Sequence, residues 1–306
     1  MTGPRTPIPE TRTTAAPIRT DAQRREFIRY TDTRRWPLLG RFPVGDELHD
    51  DLLAQMLGCS RDTVRSIVAG LTGQARGTAA DLLADRGFRS ALREVTGRPG
   101  ERIVAVGDSI TADRLGWFEL LSAAADLDDR PAAEMVNLGV SGDTTADVLE
   151  RFDLLEAARP GHVLLMLGTN DARSHGRPVA YRMISAAETA RNLRALIDLV
   201  VTGLGAAVTV ITPPAVDQRR IDATFAGGAV GWRADDIAEV AAIAREVAPA
   251  AIDLHGITRD RADGDFLEAD GVHPTPHGQR LIVTDIVARL AARSPGGDPR
   301  DPRPRR

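Results

Sequence analysis

The chain has 306 residues, a hydrophobic content of 42% and a formal net charge of −4. All 39 residues counted as Lys+Arg are arginines, which excludes lysine-dependent chemistry such as a Schiff base, a pyridoxal-phosphate enzyme or a P-loop. The single cysteine, Cys59, excludes an internal disulfide and a cysteine-based zinc or iron–sulfur site.

The charge and the distribution of apolar residues also bear on partners and location. A net charge of −4 argues against general electrostatic binding to nucleic acid or to a membrane. No window of about 18 apolar residues predicts a membrane-spanning helix. The first residues lack an apolar stretch of the signal-peptide kind. We therefore expect a cytoplasmic protein without a nucleic-acid or membrane partner.

Composition changes along the chain predict four regions. Residues 1–45 are rich in Arg, Thr and Pro and hold only short apolar clusters, so we expect a largely irregular or disordered arm. Residues 46–99 predict a small helical subdomain, and residues 100–293 predict the main domain. Residues 294–306 are rich in Pro, Gly and Arg and predict a disordered tail.

The helical subdomain begins with apolar residues at helical spacing over 48–57. Gly58 is expected to end that helix and Ser60 to cap the next one, with a third helix over 79–86. The run LLAQMLGCSRDTVRSIVAGL resembles a helix-turn-helix, so a DNA-binding regulator with a ligand-sensing domain is an alternative. Residues 46–95 hold eight acids and six arginines, however, whereas a DNA reader normally shows a basic face. We favour a subdomain that packs on the main domain.

From residue 102 onward, short apolar segments alternate with amphipathic ones. Continuous apolar strands separated by helices indicate a parallel sheet covered by helices on both faces, that is, an α/β protein. We predict five strands, followed by a last helix over 278–292. The strands are expected at 102–106, 134–138, 162–167, 207–211 and 250–254.

Polar, glycine-containing loops follow these strands. Parallel sheets place their sites at the carboxyl ends of the strands, so we expect these loops to meet at one edge. Together they supply a serine, an asparagine, an aspartate and a histidine. The loops are GDSIT at 107–111, GVSGDTT at 139–145, GTND at 168–171 and DGVHPT at 270–275.

Three of these residues have the chemistry of a serine nucleophile and its base. The hydroxyl of Ser109 is a weak nucleophile that needs an adjacent base. His273 can take its proton and return it to the leaving group, and Asp270 can hold the imidazole in the correct tautomer. His277 lies in the same loop, but it follows a proline at a predicted helix start, where a solvated histidine is ordinary.

A tetrahedral intermediate also needs donors for its oxyanion. The candidates are the backbone N–H groups of Ser109 and Gly139 and the side-chain amide of Asn170. Asp108 and Asp171 are expected to brace the loops through hydrogen bonds and not to react.

These four blocks resemble those of the SGNH hydrolases, also called the GDSL esterase/lipase family. The resemblance covers about residues 100–292, and SGDTT at 141–145 is similar to the thioesterase I/lysophospholipase L1 branch. It implies a flavodoxin-like three-layer α/β/α fold, with the five-stranded parallel sheet expected here preceded by the small helical segment. It also implies no cofactor and acyl transfer from an ester or thioester to water. Ser109, His273 and Asp270 match the family's catalytic triad, while Ser109, Gly139 and Asn170 are assigned here to its oxyanion hole.

Two further questions concern the substrate, expected to be a small-molecule ester or thioester. The same residues could pass the acyl group to an alcohol, so an acyltransferase of metabolite tailoring is an alternative. Arg173, His175 and Arg177 follow the third block and are read either as a solvated loop or as a charged rim that selects a polar or anionic substrate. The histidine spacing fits no metal-ligand pattern, so no metal is expected.

Overall fold

A parallel sheet lies at the centre of the main domain. The structure, a computed structural model, describes residue 18 and residues 20–98, 100–175, 181–261 and 264–293. Residues 1–17 of the predicted irregular arm (1–45) and the predicted tail, residues 294–306, lie outside the described residues. The strands in chain order are β1 (Arg102–Gly107), β2 (Glu134–Asn137), β3 (His162–Met166), β4 (Ser174–His175), β5 (Tyr181–Arg182), β6 (Ala207–Ile211) and β7 (Val230–Gly231).

The main sheet has four strands in the order β2–β1–β3–β6, and all neighbours are parallel. The first four predicted strands are therefore confirmed, within one residue at each end. The fifth, predicted at 250–254, is wrong as a strand. Only Ile252 forms a bridge, to Ile211, because Asp253 then caps a helix that begins at Leu254. The three short strands form a separate antiparallel sheet in the order β5–β4–β7.

Helices cover both faces of the main sheet, which gives the expected three-layer α/β/α arrangement. The helices of the main domain, counted after five helices that precede the sheet, are α6 (Ser109–Ala112), α7 (Trp117–Leu127), α8 (Thr145–Glu150), α9 (Phe152–Ala157), α10 (Ala186–Asp198), α11 (Gln218–Phe225), α12 (Ala234–Val247), α13 (Leu254–Thr258) and α14 (Pro276–Ala291).

Alternation along the strands divides the core into two layers. Side chains of successive strand residues point to opposite faces. Ile103 and Leu164 pack with residues of α7 and α14 on one face, while Val104 and Val163 pack with residues of α8, α9, α10 and α12 on the other. No described helix is both long and apolar enough to cross a bilayer.

Four of the five N-terminal helices pack on the α7 and α14 side of the sheet, while the short second helix has no buried residue and lies beside Leu154 of α9. Their buried residues, among them Leu71 and Phe88, belong to the same apolar cluster as Phe118 of α7 and Ile282 of α14. The subdomain therefore shares the core of the main domain. The five helices are α1 (Asp21–Tyr30), α2 (Pro37–Gly40), α3 (Asp46–Leu57), α4 (Arg61–Ala84) and α5 (Arg86–Thr96).

Two expectations for this region need correction. The segment 1–45 is not irregular throughout, because α1 is a regular helix with a capping box at Thr20 and a fully buried Ile28. The sequence of α1 is mostly charged, but Ile28 packs in the apolar core and stabilises the helix. The separate third helix over 79–86 is also wrong: α4 continues to Ala84, and Asp85 then caps α5.

The break between α3 and α4 lies where the sequence predicts it, at Gly58, with Ser60 as the N-cap of α4. One face of α4 is buried, and α4 packs along α7. The buried face of α4 therefore joins the helical subdomain to the main domain. This packing agrees with the role favoured above for the subdomain.

Replacement of Leu71 by Ala tests the shared core. Leu71 is fully buried on α4, so we expect the variant to lose about 2–5 kcal/mol of unfolding free energy, measured by urea denaturation. Leu48→Ala is the control, because that leucine is 47% exposed and should cost much less. If the N-terminal helices unfolded in a separate transition, with the main domain unaffected, the shared core would be disproved.

Candidate active site

Ser109 lies immediately beyond the carboxyl end of β1. Asp108 caps the short helix α6, because its Oδ1 accepts the backbone N–H of Ile110 at 3.0 Å. Ser109 is the first residue of that helix, where a backbone N–H has no helical acceptor. Burial raises the pKa of Asp108 to about 6, although the N–H of Ile110 opposes the shift. This hydrogen bond braces the turn that contains Ser109.

The predicted serine, histidine and aspartate form one continuous hydrogen-bonded chain. Ser109 Oγ lies 2.9 Å from His273 Nε2, and His273 Nδ1 lies 2.5 Å from Asp270 Oδ2. Because Asp270 accepts the proton of Nδ1, Nε2 is left as the acceptor for the serine hydroxyl. The other oxygen of Asp270 accepts the backbone N–H groups of Val272 and His273 at 2.9 and 3.0 Å. His277 is exposed on the first turn of α14.

The electrostatics of the hydrogen-bonded serine, histidine and aspartate favour the protonated, positively charged form of the His273 imidazole. Burial alone would lower the pKa of His273, but the hydrogen bond and charge of Asp270 outweigh it and raise that pKa above its ordinary value. Burial would likewise raise the pKa of Asp270, yet its bonds to His273 hold it below the usual range. The aspartate therefore stays ionised beside an imidazole that accepts a proton readily.

In the loop after β2, the N–H of Gly139 does not have the free orientation that was expected of it. The N–H of Gly139, predicted to face the oxyanion, donates to Asn137 Oδ1 at 2.8 Å and is occupied. Gly139 is needed for another reason: a Cβ there would lie 2.7 Å from the backbone nitrogen of Ala112, so only glycine lets the loop approach α6. Gly142 has φ +92, and among the described residues its N–H has no hydrogen-bond partner.

Arg151 holds this loop closed. Its Nε donates to Asp143 Oδ2 at 2.6 Å and its Nη2 donates to the carbonyl of Leu138 at 2.9 Å, so one side chain spans both ends of the loop. Arg151 is only 2% exposed. Sequence reasoning missed it, because an arginine after a short helix gives no local sign that it folds back on the preceding loop.

Asn170 brings the third block to the same place. Its side-chain nitrogen donates one hydrogen to the carbonyl of Asp143 at 3.1 Å, which leaves the second hydrogen for another acceptor. This contact places the amide next to the turn that contains Gly142.

Asp171 braces the third block through hydrogen bonds. It accepts the backbone N–H of Thr145 at 2.9 Å and hydroxyl bonds from Thr145 and Thr189. Burial raises the pKa of Asp171, and these bonds oppose the rise. The carboxylate therefore joins the second block, the third block and α10.

The predicted polar rim is only partly described. Arg173 Nε donates to His175 Nε2 at 2.9 Å, so the two side chains form a half-buried pair and not a freely solvated loop. Burial and the charge of Arg173 lower the pKa of His175. Arg177 lies outside the described residues. No group of three or more His, Cys, Asp or Glu within the described ranges could hold a metal ion.

Gln279 is a second residue that sequence reasoning missed. It is fully buried on α14, accepts the backbone N–H of Trp117 at 3.0 Å and donates to the carbonyl of Ile110 at 3.2 Å. It thus fixes the helix after His273 to the helix that contains Ser109. A glutamine near the start of a helix usually faces solvent. The role of Gln279 could not be predicted from the sequence, because it depends on a contact with a residue 169 positions away.

Comparison with known proteins identifies the family and the fold. The profile of the GDSL-like lipase/acylhydrolase family matches residues 105–281. A lipase/acylhydrolase from Enterococcus faecalis has a similar structure, with 29% identity, a TM-score of 0.52 and coverage of 63% of this chain and 96% of that one. No curated protein matches the chain.

Two more distant structures share the fold. An α/β hydrolase from the metagenome of Lake Arreo has 23% identity and a TM-score of 0.51, over 63% of this chain and 95% of that one. An acetyl xylan esterase from Geobacillus stearothermophilus has 19% identity and a TM-score of 0.51, over the same shares.

Replacement of Asp270 by Asn should lower the pKa of His273, because it removes the charge that raises it. The pKa is measured by NMR titration of the imidazole. Ser109→Ala keeps Asp270 and serves as the control, which should retain the raised pKa. An unchanged pKa in Asp270→Asn would show that the aspartate does not govern the histidine.

Proposed function

Because the chain belongs to the GDSL-like lipase/acylhydrolase family and is a carboxylic ester hydrolase, we propose that it cleaves a small-molecule ester or thioester through an acyl-enzyme on Ser109. One observation supports this assignment above all. The Ser109 hydroxyl, the His273 imidazole and the Asp270 carboxylate form an unbroken hydrogen-bonded chain with the histidine in the centre.

In the first step, Ser109 Oγ attacks the acyl carbon as its proton passes to His273 Nε2. The new C–O bond forms while the carbonyl π electrons move to the oxygen, which gives a tetrahedral oxyanion. The protonated imidazole is stabilised by Asp270. His273 then gives the proton to the leaving alcohol or thiol as the oxyanion collapses and the bond to the leaving group breaks. Because only neutral His273 can act as the base, activity should fall as the pH drops through its raised pKa.

We assign three donors to the oxyanion: the N–H of Ser109, the free amide hydrogen of Asn170 and the N–H of Gly142. Gly142 replaces Gly139 in this role, because the N–H of Gly139 is already bonded to Asn137. The bond from Asn170 to the carbonyl of Asp143 supports the choice, since it places the amide beside the same turn. A single donor of this kind is typically worth about 10²–10³ in kcat.

In the second step, water attacks the acyl-enzyme and His273 again takes the proton, so that the acid is released and Ser109 is restored. An alcohol in place of water would make the protein an acyltransferase through the same intermediate. Product analysis with competing alcohols separates the two outcomes. The pair of Arg173 and His175 beside the third block is where we expect a polar or anionic substrate to be selected.

Ser109→Ala tests the assignment. Turnover of short p-nitrophenyl esters should fall by about 10⁶-fold, to the background of the assay, because the nucleophile is lost. A fluorophosphonate probe should label the wild type and fail to label this variant. Ser122→Ala, a serine replacement on α7, is the matched control and should keep both turnover and labelling. Turnover by Ser109→Ala close to that of the wild type would disprove the proposal.

A further inference from the structure

Helix α1 reaches the active site although it lies outside the family match, which begins at residue 105. Its last two residues, Arg29 and Tyr30, face the loops that contain Ser109 and His273. Arg29 is only 5% exposed. Neither residue has a place in the chemistry described above, so their position needs its own explanation.

Arg29 contacts both halves of the site. Its Nε and Nη2 each donate to the carboxylate of Asp113 at 2.8 Å, and the backbone N–H of Asp113 donates to the carbonyl of Ser109 at 3.0 Å. On the other side, its Nη1 donates to Glu268 at 2.7 Å and its Nη2 to the carbonyl of Pro274 at 3.2 Å. The backbone N–H of Glu268 in turn donates to the carbonyl of His273 at 2.7 Å. A single guanidinium thus joins the serine turn to the histidine loop.

Tyr30 packs directly on the histidine. The centroids of the Tyr30 and His273 rings are 4.9 Å apart, with 48° between their planes. The guanidinium carbon of Arg29 lies 4.8 Å from the centroid of the same tyrosine ring. The Tyr30 hydroxyl is buried and has no hydrogen-bond partner among the described residues, so Tyr30 acts on His273 through its ring.

The end of α1 is fixed in place and is not a loosely attached arm. The backbone N–H and the Nε of Arg114 donate to the carbonyls of Arg29 and Ile28 at 2.9 and 3.0 Å. Ile28 is fully buried in the cluster that includes α7 and α14. The helix therefore presents Arg29 and Tyr30 from a rigid base.

We propose that Arg29 and Tyr30 are positioning residues of the active site. Arg29 sets the distance between the serine turn and the histidine loop, and the Tyr30 ring holds the His273 imidazole in line with Ser109 Oγ. This inference rests on the proposed function. Displacement of a catalytic group by about 1 Å can cost about 10²-fold in rate, so the loss of either contact should lower the rate of the chemical step.

The test compares kcat per active site, counted by complete fluorophosphonate labelling, in the full-length chain. Arg29→Lys keeps the charge but cannot form the planar fork, and Glu268→Gln weakens only the link to the histidine loop. Tyr30→Leu removes the ring, whereas Tyr30→Phe keeps it. We expect kcat per labelled site to fall by about 10-fold or more in Arg29→Lys and Tyr30→Leu, and less in Glu268→Gln. KM should change by about twofold at most, and Tyr30→Phe should retain the wild-type kcat.

Two controls separate positioning from general destabilisation. Arg25→Lys changes another arginine of α1, whose Nη2 bonds to Gln74 on α4, away from the triad. Tyr181→Leu changes the other tyrosine of the chain, which is 66% exposed. Both should keep the wild-type kcat per labelled site.

A lower melting temperature with unchanged kcat per labelled site in Arg29→Lys, Glu268→Gln and Tyr30→Leu would overturn the inference, because a structural role alone gives that result. Equal losses in Tyr30→Phe and Tyr30→Leu would overturn the role of the ring. If Arg29→Lys does not fold, Glu268→Gln and Tyr30→Leu decide. Activity in Ser109→Ala would instead disprove the proposed function itself.

Discussion

The hydrogen bond between Ser109 Oγ and His273 Nε2 is the interaction on which the rest of the site depends. It joins residues 164 positions apart, at 2.9 Å. The loop that contains Ser109 and the loop that contains His273 belong to different parts of the chain. Neither can fix the distance between the two side chains by itself, so the elements that carry the loops must be held together. Buried polar contacts join the elements around this bond: Gln279 links α14 to α6, and Asp171 links the second and third blocks.

The chain has no lysine, and the buried cations around the site are of the kind that arginine suits better than lysine. Arg29 and Arg151 each reach two segments from a buried position, with several N–H donors in one plane. A lysine ammonium would offer a point charge without that fork, and its desolvation would be poorly compensated. Arginine is the only permanently cationic side chain in this sequence. It therefore supplies both the buried cations that join segments of the site, Arg29 and Arg151, and the cation of the rim, Arg173.

Most of the fold could be predicted from the sequence, because it follows from local patterns, and the same patterns single out the residues that we propose to react. The polar loop at the end of an apolar strand pointed to Ser109, and the spacing of Asp270 and His273 in a late loop pointed to the base. The errors concern residues whose state depends on distant contacts. Position 252 forms one bridge and not a strand, because Asp253 begins a helix. Gly139 could not be distinguished from Gly142, because only the backbone direction decides which N–H is free. The helix around Ile28 is likewise stabilised by a core that its own sequence does not reveal.

The measurement closest to the central claim is the direct trapping of the acyl-enzyme. The protein is mixed with a short-chain ester, quenched in acid during turnover and digested for mass spectrometry. We predict that the acyl group is found on Ser109, in the peptide that contains the GDSIT sequence. Two results would contradict nucleophilic catalysis by Ser109. One is an acyl group on another residue. The other is product formation with no trapped acyl-enzyme under conditions in which hydrolysis of the acyl-enzyme limits the rate.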